Sequence, residues 1–383
     1  MTLNRLTALS RPAEWARHAR TILAWPATKS LSCQPDGSGT LDRATDEVSS
    51  IAEAFARFEP VTLLVSRERL RLAQRRFATP TSTSKQAHEI RIHPIEEGDQ
   101  LDLWMRDIAP TFTLGRRGPE PGLHTKRDAV LHGVSFNFNG WGNKFHTETC
   151  AGLARRYLRE HHIEHVSCSI VAEGGALEVD GRGTLMASES SLVNENRNPG
   201  KSRDQIEQEL SRTLGITKFI WIPGLKGRDT TDFHIDAYAR FVRPGVVLVS
   251  GSAEQGGDWG KAYDEARGIL ERATDAEGRK LRILEIPEPM AEEVVTDEET
   301  LRLVREERGY RPVHSYVNFL IVNGGVILPQ FGVDEADRKA REVVAEAFGH
   351  ERVVVPVMID ELPLLGGGIH CSTQEVPYVE EEG

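Results

Sequence analysis

Cysteine is scarce in this chain, and its placement argues against a disulfide framework. Four cysteines lie far apart and form no Cys-x-x-Cys pair: Cys33, Cys150, Cys168 and Cys371. Such spacing is typical of a reduced intracellular protein. The amino-terminal segment 1–15 lacks the apolar run of a signal peptide, and no apolar stretch reaches the length of a transmembrane helix. We therefore expect a cytoplasmic protein with no membrane partner.

Positive charge is also in deficit. The chain has 47 Lys and Arg against 58 Asp and Glu, a formal net charge of -11. This balance disfavours nucleic acid and anionic membranes as partners, and it favours a small cation. Glycine-rich phosphate loops of the GxGxxG type are absent, so a nucleotide cofactor has no support. We expect a small-molecule ligand, no nucleic-acid partner and no cofactor.

The residues that are present predict a large α/β protein. Hydrophobic residues make up 39% and charged residues 27% of 383, which is typical of a globular protein with a sizeable core. Helical periodicity predicts helices over 44–58, 151–162, 202–215, 260–274 and 334–349. Short apolar runs predict strands over 61–66, 166–171, 218–223, 245–250, 318–322, 325–329 and 352–357. Segments 80–100, 114–128 and 288–312 are expected to be surface loops.

Polar motifs recur along this alternating pattern. They are centred on Asp107, Glu173, His234, Asn318 and Cys371, and each is predicted to lie at a strand end. Their regular separation favours about five ββα-like units, each offering one loop to a shared centre. The length alone is compatible with two or three domains, but a repeat-built single domain over 1–383 fits this spacing better.

Residues 366–371, Gly-Gly-Gly-Ile-His-Cys, are the first candidate site. Three glycines weaken regular structure, so they predict a close approach of backbone to a ligand, with His370 and Cys371 pointed at it. A lone cysteine is otherwise a small buried hydrophobe. A nucleophilic Cys371 needs a histidine and a carboxylate brought near it by the fold.

The segment 229–241 supplies both. His234 and Asp236 lie two residues apart, so on a strand they face the same side. With Asp229 and Asp232 they form a cluster too acidic to bury without a cation or an organised network. Paired carboxylates suit a planar guanidinium, which makes forked hydrogen bonds to them. A neutral core histidine beside a structural Asp is the alternative.

Two further motifs add candidates. In segment 101–112, Asp107 is a second partner for the guanidinium and Trp104 a lining residue, unless Arg106 and Asp107 form a structural ion pair. Glu173 precedes two glycines and a predicted Asp-Gly hairpin, so it either caps a turn or contributes to the site.

Two metal motifs are rejected. The sequence His-His-Ile-Glu-His over 161–165 matches an inverted zincin pattern, but it falls where a helix must end, and we expect it to cap that helix. The sequence His-Ile-Asp-Ala-Tyr over 234–238 resembles an arginase-type metal motif with Tyr238 in place of its second histidine. We expect no metal.

Taken together, these motifs resemble the agmatine deiminase and bacterial-type peptidylarginine deiminase family of the guanidine-modifying superfamily. The resemblance covers nearly the whole chain, including segments 104–112, 136–145, 173–199, 229–236, 315–332 and 366–374. It implies a five-bladed α/β propeller of pseudo-fivefold repeats, the pentein fold, as one deiminase domain. It also implies a homo-oligomer and metal-free hydrolysis of a guanidine through a cysteine adduct.

Carried over by motif, Cys371 is the nucleophile and His234 the general acid and base. Asp107 and Asp236 grip the guanidinium, and Glu173 orients or tunes His234. Trp104, Thr230 and Phe233 complete the expected binding set.

Some positions depart from the agmatine deiminase pattern. Thr230 stands where that pattern has Glu, which removes an anion that could meet the ammonium end of agmatine, and Phe233 stands where it has Gly. Ala237, Ser372 and Glu375 also differ. The leading hypothesis is hydrolysis of agmatine to N-carbamoylputrescine and ammonia. The alternatives are a deiminase of free or peptidyl arginine or another alkylguanidine, a metal-dependent guanidine hydrolase, and a non-catalytic guanidine-binding protein.

Overall fold

A computed structural model describes most of the chain. The described residues are 7–33, 39–78, 87–96, 98–116, 129–252, 256–295, 297–298, 300–302 and 311–380. They form a mixed α/β structure, as the alternating pattern predicts. No helix within these ranges is both long and apolar enough to cross a bilayer.

The strands assemble into five sheets. They are β1 (Thr7–Ser10), β2 (His18–Ala24), β3 (Val61–Ser66), β4 (Ile90–Ile95), β5 (Thr111–Arg116), β6 (Ala129–Ser135), β7 (Glu164–Ser167), β8 (Glu178–Val179), β9 (Thr184–Ser188), β10 (Lys218–Ile222), β11 (Ala239–Arg243), β12 (Val246–Gly251), β13 (Arg282–Pro287), β14 (Leu320–Val322), β15 (Gly325–Gln330), β16 (Val353–Met358) and β17 (Gln374–Pro377). The sheet orders are β1-β5-β6-β7, β10-β9-β8, β11-β12-β13, β14-β15-β16 and β17-β2-β3-β4.

All five sheets share one pairing pattern. An antiparallel pair comes first (β5/β6, β8/β9, β11/β12, β14/β15 and β17/β2), and its second strand then pairs in parallel with the next strand along the chain. A parallel connection needs a crossover, and a long helix supplies it in every sheet. In the last sheet β17 pairs with β2, so the two ends of the chain meet.

The crossover helices are Thr40–Phe55, Glu148–Glu160, Arg203–Leu214, Asp258–Arg272 and Asp334–Ala347. Shorter helices are Leu70–Phe77, Met105–Ile108, Gly140–Asn143, Glu189–Leu192, Ala291–Val294 and Glu361–Leu364, with 3-10 turns at Arg67–Arg69, Gly174–Ala176 and Ile235–Ala237.

Local chemistry explains several boundaries. Ser202 and Gln205 form a capping box that starts the third crossover helix, and left-handed Gly215 ends it. The β8–β9 hairpin turns at Asp180, whose carboxylate accepts hydrogen bonds from the backbone N–H groups of Arg182 and Thr184. Both features were predicted from the sequence.

Some expectations were wrong. Residues 90–95 and 114–116 belong to strands β4 and β5, not to surface loops, and Ala291–Val294 is helical. β4 is an edge strand, where charge and Pro94 are tolerated and the apolar signal is weak. The strand expected over 166–171 is Glu164–Ser167. Residues 80–86, 97, 117–128, 296, 299 and 303–310 of the expected loops lie outside the described residues.

Candidate active site

Each sheet contributes one polar residue at a comparable position. Asp107, Glu173, His234, Asn318 and Cys371 all lie on short segments that lead into the first strand of an antiparallel pair, namely β5, β8, β11, β14 and β17. The sequence predicted these residues at strand ends. In the structure each of them lies shortly before the amino-terminal end of its strand. Because the five segments occupy equivalent places, their side chains converge.

Cys371 is held by contacts on two sides. Its backbone N–H donates to Oδ1 of Asn318 (3.3 Å), and Nδ2 of Asn318 donates to the sulfur (3.2 Å). The sulfur also lies 3.6 Å from Oδ2 of Asp236. Burial, with the charges of Asp236 and Asp107, raises the pKa of the Cys371 thiol well above its ordinary value. In the empty site the sulfur is therefore a thiol that donates to a carboxylate.

The glycines before Cys371 make room for protein side chains. A Cβ on Gly367 would lie 2.2 Å from Cζ3 of Trp104, and one on Gly368 would lie 2.6 Å from Oδ1 of Asn318. Gly366 has φ +98°, a conformation that side chains disfavour. The sequence predicted a close approach of the backbone to a ligand, whereas the groups that the structure places against these glycines are the side chains of Trp104 and Asn318.

His234 lies between two carboxylates. Its Nδ1 is 3.7 Å from Oδ2 of Asp107, and its Nε2 is 3.5 Å from Oε2 of Glu173. Burial disfavours the imidazolium, but the anions of Asp107, Glu173 and Asp236 outweigh it and raise the pKa of His234 to about 9. The ring is therefore an acid at neutral pH, placed beside the thiol-bearing site.

Arg197 is a neighbour of His234 that the sequence did not reveal. Its Nε donates to both carboxylate oxygens of Glu173 (2.8 and 2.9 Å), and its other nitrogens reach Asp232 (2.8 Å) and the carbonyl of Thr231 (2.9 Å). Although burial opposes it, Arg197 keeps the pKa of Glu173 below its ordinary value. It fixes the carboxylate that faces His234 and the turn that carries His234.

Asp107 is oriented by a second missed residue. Trp141 Nε1 donates to its Oδ2 (2.8 Å), and the backbone N–H of Gly175 donates to its Oδ1 (3.0 Å). Burial raises the pKa of Asp107, with the charges of Asp236 and Glu173 adding to it and His234 opposing. A bound cation would stabilise the Asp107 carboxylate and lower its pKa.

Asp236 presents one free oxygen. Its Oδ2 accepts from Nδ1 of His370 (2.7 Å), while its buried Oδ1 has no partner among the described residues. An unpaired buried carboxylate oxygen is costly, and it suits an N–H donor on a ligand.

His370 faces away from the cavity. Its Nε2 lies 2.9 Å from Oε2 of Glu14, so both ring nitrogens meet carboxylates. Although burial opposes it, Arg240 and His370 hold the pKa of Glu14 well below its ordinary value. The ring therefore lies between Glu14 and Asp236 and supports Asp236 from behind, contrary to the expectation that it points at the ligand.

Glu375 belongs to the same buried layer of charge. Its carboxylate pairs with the fully buried Arg106 (2.6 Å) and lies 3.7 Å from Arg11. Arg106 also donates to the carbonyl of His370 (3.4 Å). Arg106 thus forms the structural pair that the sequence left open, but with Glu375 in place of Asp107.

Some of the residues described above border a cavity of about 320 Å³. It is lined by every residue of the expected binding set and by the nucleophile and base candidates: Trp104, Asp107, Thr230, Phe233, His234, Asp236 and Cys371. Glu173 is fully buried behind His234 and does not line it. The structure thus brings seven sequence-predicted residues to one place, with Glu173 supporting them from beneath.

Phe233 occupies a strained position on the cavity wall. Its φ is +75°, next to Asp232 at +60°, a conformation that bulky residues rarely adopt. The ring stacks on Trp259 (centroids 5.6 Å apart) and meets Tyr263 edge-on. Aromatic packing therefore holds a backbone corner that immediately precedes His234.

Within the described residues, no group of three His, Cys, Asp or Glu side chains is arranged to hold a metal ion. The helix before the His-His-Ile-Glu-His motif ends at Glu160. His161 follows as its cap, and the imidazole of His161 packs on Tyr157 with centroids 4.1 Å apart.

Comparisons with known proteins find similarity along nearly the whole chain. The chain is 36% identical to an agmatine deiminase of Stutzerimonas stutzeri (strain A1501), covering 96% of this chain and 95% of the relative. It is 34% identical to an agmatine deiminase of Medicago truncatula, with 96% of each chain covered.

A solved structure described as the agmatine deiminase of Enterococcus faecalis catalysing its reaction is 29% identical. It aligns with a TM-score of 0.79 over 97% of this chain and 96% of its own. The family model described as Porphyromonas-type peptidyl-arginine deiminase matches residues 10–377. The chain therefore belongs to the Porphyromonas-type peptidyl-arginine deiminase family.

Proposed function

We propose that this protein is a guanidine deiminase that converts agmatine and water to N-carbamoylputrescine and ammonia. One observation carries the proposal: a cysteine sulfur, an imidazolium and two buried carboxylates border one cavity. The carboxylates fit a guanidinium, the sulfur fits attack on its carbon, and the imidazolium fits protonation of the leaving nitrogen. The relatives named agmatine deiminase support agmatine as the substrate.

Substrate binding would activate the nucleophile. Asp107 and Asp236 raise the pKa of the Cys371 thiol while the cavity is empty. A guanidinium held by the same two carboxylates offsets their charge and places a cation beside the sulfur, which lowers that pKa. The thiol proton passes to solvent as the cation arrives, because His234 is already protonated, and the thiolate forms where the carbon is already oriented.

The first half-reaction forms a covalent adduct. The thiolate of Cys371 adds to the guanidinium carbon and gives a tetrahedral intermediate. His234 donates its proton to one terminal nitrogen, the C–N bond breaks, and ammonia leaves a planar thiouronium on the sulfur. Asp107 and Asp236 hold the remaining positive charge throughout.

The second half-reaction consumes water. Neutral His234 takes a proton from water as the oxygen adds to the thiouronium carbon. The C–S bond then breaks, its electron pair stays on the sulfur so that Cys371 is again a thiolate, the hydroxyl proton passes to solvent, and the ureido product forms. Glu173, fixed by Arg197, stabilises the imidazolium in both steps and orients its ring.

We also propose that the five sheets are the blades of a single propeller domain spanning the chain, since they share one pairing pattern and each offers a segment to the cavity. Convergence of equivalent segments on one centre supports this architecture. A cytoplasmic location and a homo-oligomer stay predictions of the sequence and its resemblance.

A panel of guanidines tests the proposed function. Ammonia, ureido product and urea are measured with agmatine, arginine and an arginine-containing peptide, with and without a chelator. We expect chelator-insensitive ammonia release from agmatine without urea, and loss of that release in Cys371→Ala. Chelator-sensitive urea formation would favour a metal-dependent hydrolase, and binding without turnover would favour a guanidine-binding protein.

A further inference from the structure

We infer that Asp229 is a specificity-determining residue that receives the positively charged tail of the substrate. The site would thus select alkylguanidines that carry a second cationic nitrogen at the far end of an aliphatic chain. The inference rests on the proposed function, because it concerns the other end of a molecule whose guanidinium is held by Asp107 and Asp236.

Asp229 presents one oxygen that the protein does not use. Its Oδ1 accepts from the backbone N–H of Thr231 (2.7 Å), the hydroxyl of Thr231 (2.8 Å) and the backbone N–H of Phe233 (3.1 Å). No donor among the described residues contacts its Oδ2. Asp229 lines the same cavity as Cys371. One oxygen therefore anchors the carboxylate while the other is available to a ligand.

The nearby cations of the protein are engaged elsewhere. The three N–H bonds of the Lys144 ammonium are matched by the carbonyls of Asp229 (3.3 Å) and Thr230 (2.9 Å) and by the carboxylate of Asp232 (2.9 Å). The guanidinium of Arg228 pairs with Asp258. No ion pair of its own neutralises the Asp229 carboxylate within the described part of the chain.

Besides Asp107, Asp236 and Asp229, one more carboxylate lines the cavity, that of Glu288, and it is already saturated. Glu288 accepts from Ser250 (2.7 Å) and Tyr263 (3.0 Å) through one oxygen and pairs with Arg311 through the other. The Arg311 guanidinium also lies 4.2 Å from the ring centroid of Trp259. A ligand ammonium at Glu288 would have to displace Arg311. At Asp229 no protein cation would have to be displaced.

The wall that these acidic groups share is apolar. The indole N–H of Trp104 donates to Ser32 (2.9 Å), and that of Trp141 donates to Asp107 (2.8 Å). With these polar atoms satisfied, both tryptophans contribute aromatic surface to the cavity lining, which also includes Phe233. A methylene chain packs against such faces, while its two charged ends need carboxylates.

The test compares agmatine with n-pentylguanidine, in which a methyl group replaces the ammonium. Values of kcat/KM are measured for the full-length wild type, Asp229→Asn and Glu288→Gln. Asparagine keeps the Oδ1 acceptor that holds Thr231 and Phe233, and it removes the charge. We expect the wild type to prefer agmatine, and Asp229→Asn to lower that preference about 10- to 100-fold, mainly through KM. Glu288→Gln, the matched loss of a carboxylate that is already paired, is expected to keep the preference.

The outcomes are separable. Equal use of both substrates by the wild type would overturn the assignment of Asp229 and leave guanidine deimination intact, whether or not the variants fold. A preference unaffected by Asp229→Asn would also overturn it, as would a preference lost in Glu288→Gln instead. Failure of the wild type to release ammonia from any guanidine would reject the proposed function itself, and the inference with it.

Discussion

The sulfur of Cys371 lies 3.6 Å from Oδ2 of Asp236, the oxygen that also accepts a 2.7 Å hydrogen bond from His370. A nucleophile in contact with a carboxylate is poorly ionised until a cation enters. The same carboxylate therefore restrains the thiol in the empty site and prepares the site for a guanidinium.

This contact predicts how the thiol reacts with iodoacetamide. We expect alkylation of Cys371 to be slow at neutral pH in the empty protein. Asp236→Asn should accelerate it, on the order of tenfold for each unit by which the pKa falls. Peptide mapping measures the rate at Cys371, with half-buried Cys168 as the internal reference. Slower alkylation in Asp236→Asn would show that the carboxylate instead helps to ionise the sulfur.

The histidine predicts the alkaline limit of activity. Because the pKa of His234 is raised to about 9, its acid form dominates below that pH and is lost above it. We expect kcat/KM to fall as the pH rises through about 9. Glu173→Gln removes an anion that stabilises the imidazolium, so the fall should shift to lower pH. If kcat/KM of Glu173→Gln fell at the same alkaline pH as that of the wild type, Glu173 would be excluded from tuning the pKa of His234.

Asp107 and Trp141 predict a graded loss of activity. Asp107→Asn removes one charge that orients the guanidinium and stabilises the transition state, and we expect kcat/KM to fall about 10²- to 10³-fold. Trp141→Phe keeps the aromatic wall and loses the N–H that donates to Asp107, so the fall should be about tenfold. If Trp141→Phe were the more damaging change, the indole would act chiefly through packing.

The close approach at Gly367 predicts a local steric effect. Gly367→Ala would drive a methyl group into Trp104, and we expect KM for agmatine to rise and stability to fall by about 1–3 kcal/mol. Gly332→Ala is the matched control, since Gly332 has φ +81° with nothing within 4 Å of the added Cβ and lies outside the cavity. It should lower the melting temperature without raising KM. A similar KM effect in both variants would trace the change to general destabilisation.

The sequence predicted the elements whose signals are local. The crossover helix Arg203–Leu214 was predicted from its capping box and glycine stop, and buried strands such as β3 from their apolar runs. The edge strand β4 was missed because an exposed strand with a proline has no such run. The family resemblance is confirmed, and it rested on long matches along the whole chain.

The candidate site was predictable where a motif carried its own chemistry, as at Cys371 and His234. Arg197 and Trp141 were missed because their importance lies in contacts with Glu173 and Asp107, which are distant along the chain. The side chains that pack against Gly367 and Gly368 could not be predicted for the same reason, because Trp104 and Asn318 lie on segments that lead into other sheets. The two charged residues Glu195 and Arg197 in the polar turn 194–200 were the available signal for Arg197.

The covalent adduct on Cys371 is the central claim, and intact-mass spectrometry of acid-quenched turnover tests it most directly. We predict a species heavier than the free protein by agmatine less one ammonia, mapped to Cys371 and absent from Cys371→Ala. Hydrolysis of the adduct needs neutral His234, so it should be slower at pH values below the pKa of His234. The adduct should then make up a larger share of the quenched protein. Steady ammonia release from agmatine in Cys371→Ala, at a rate close to that of the wild type, would contradict the account.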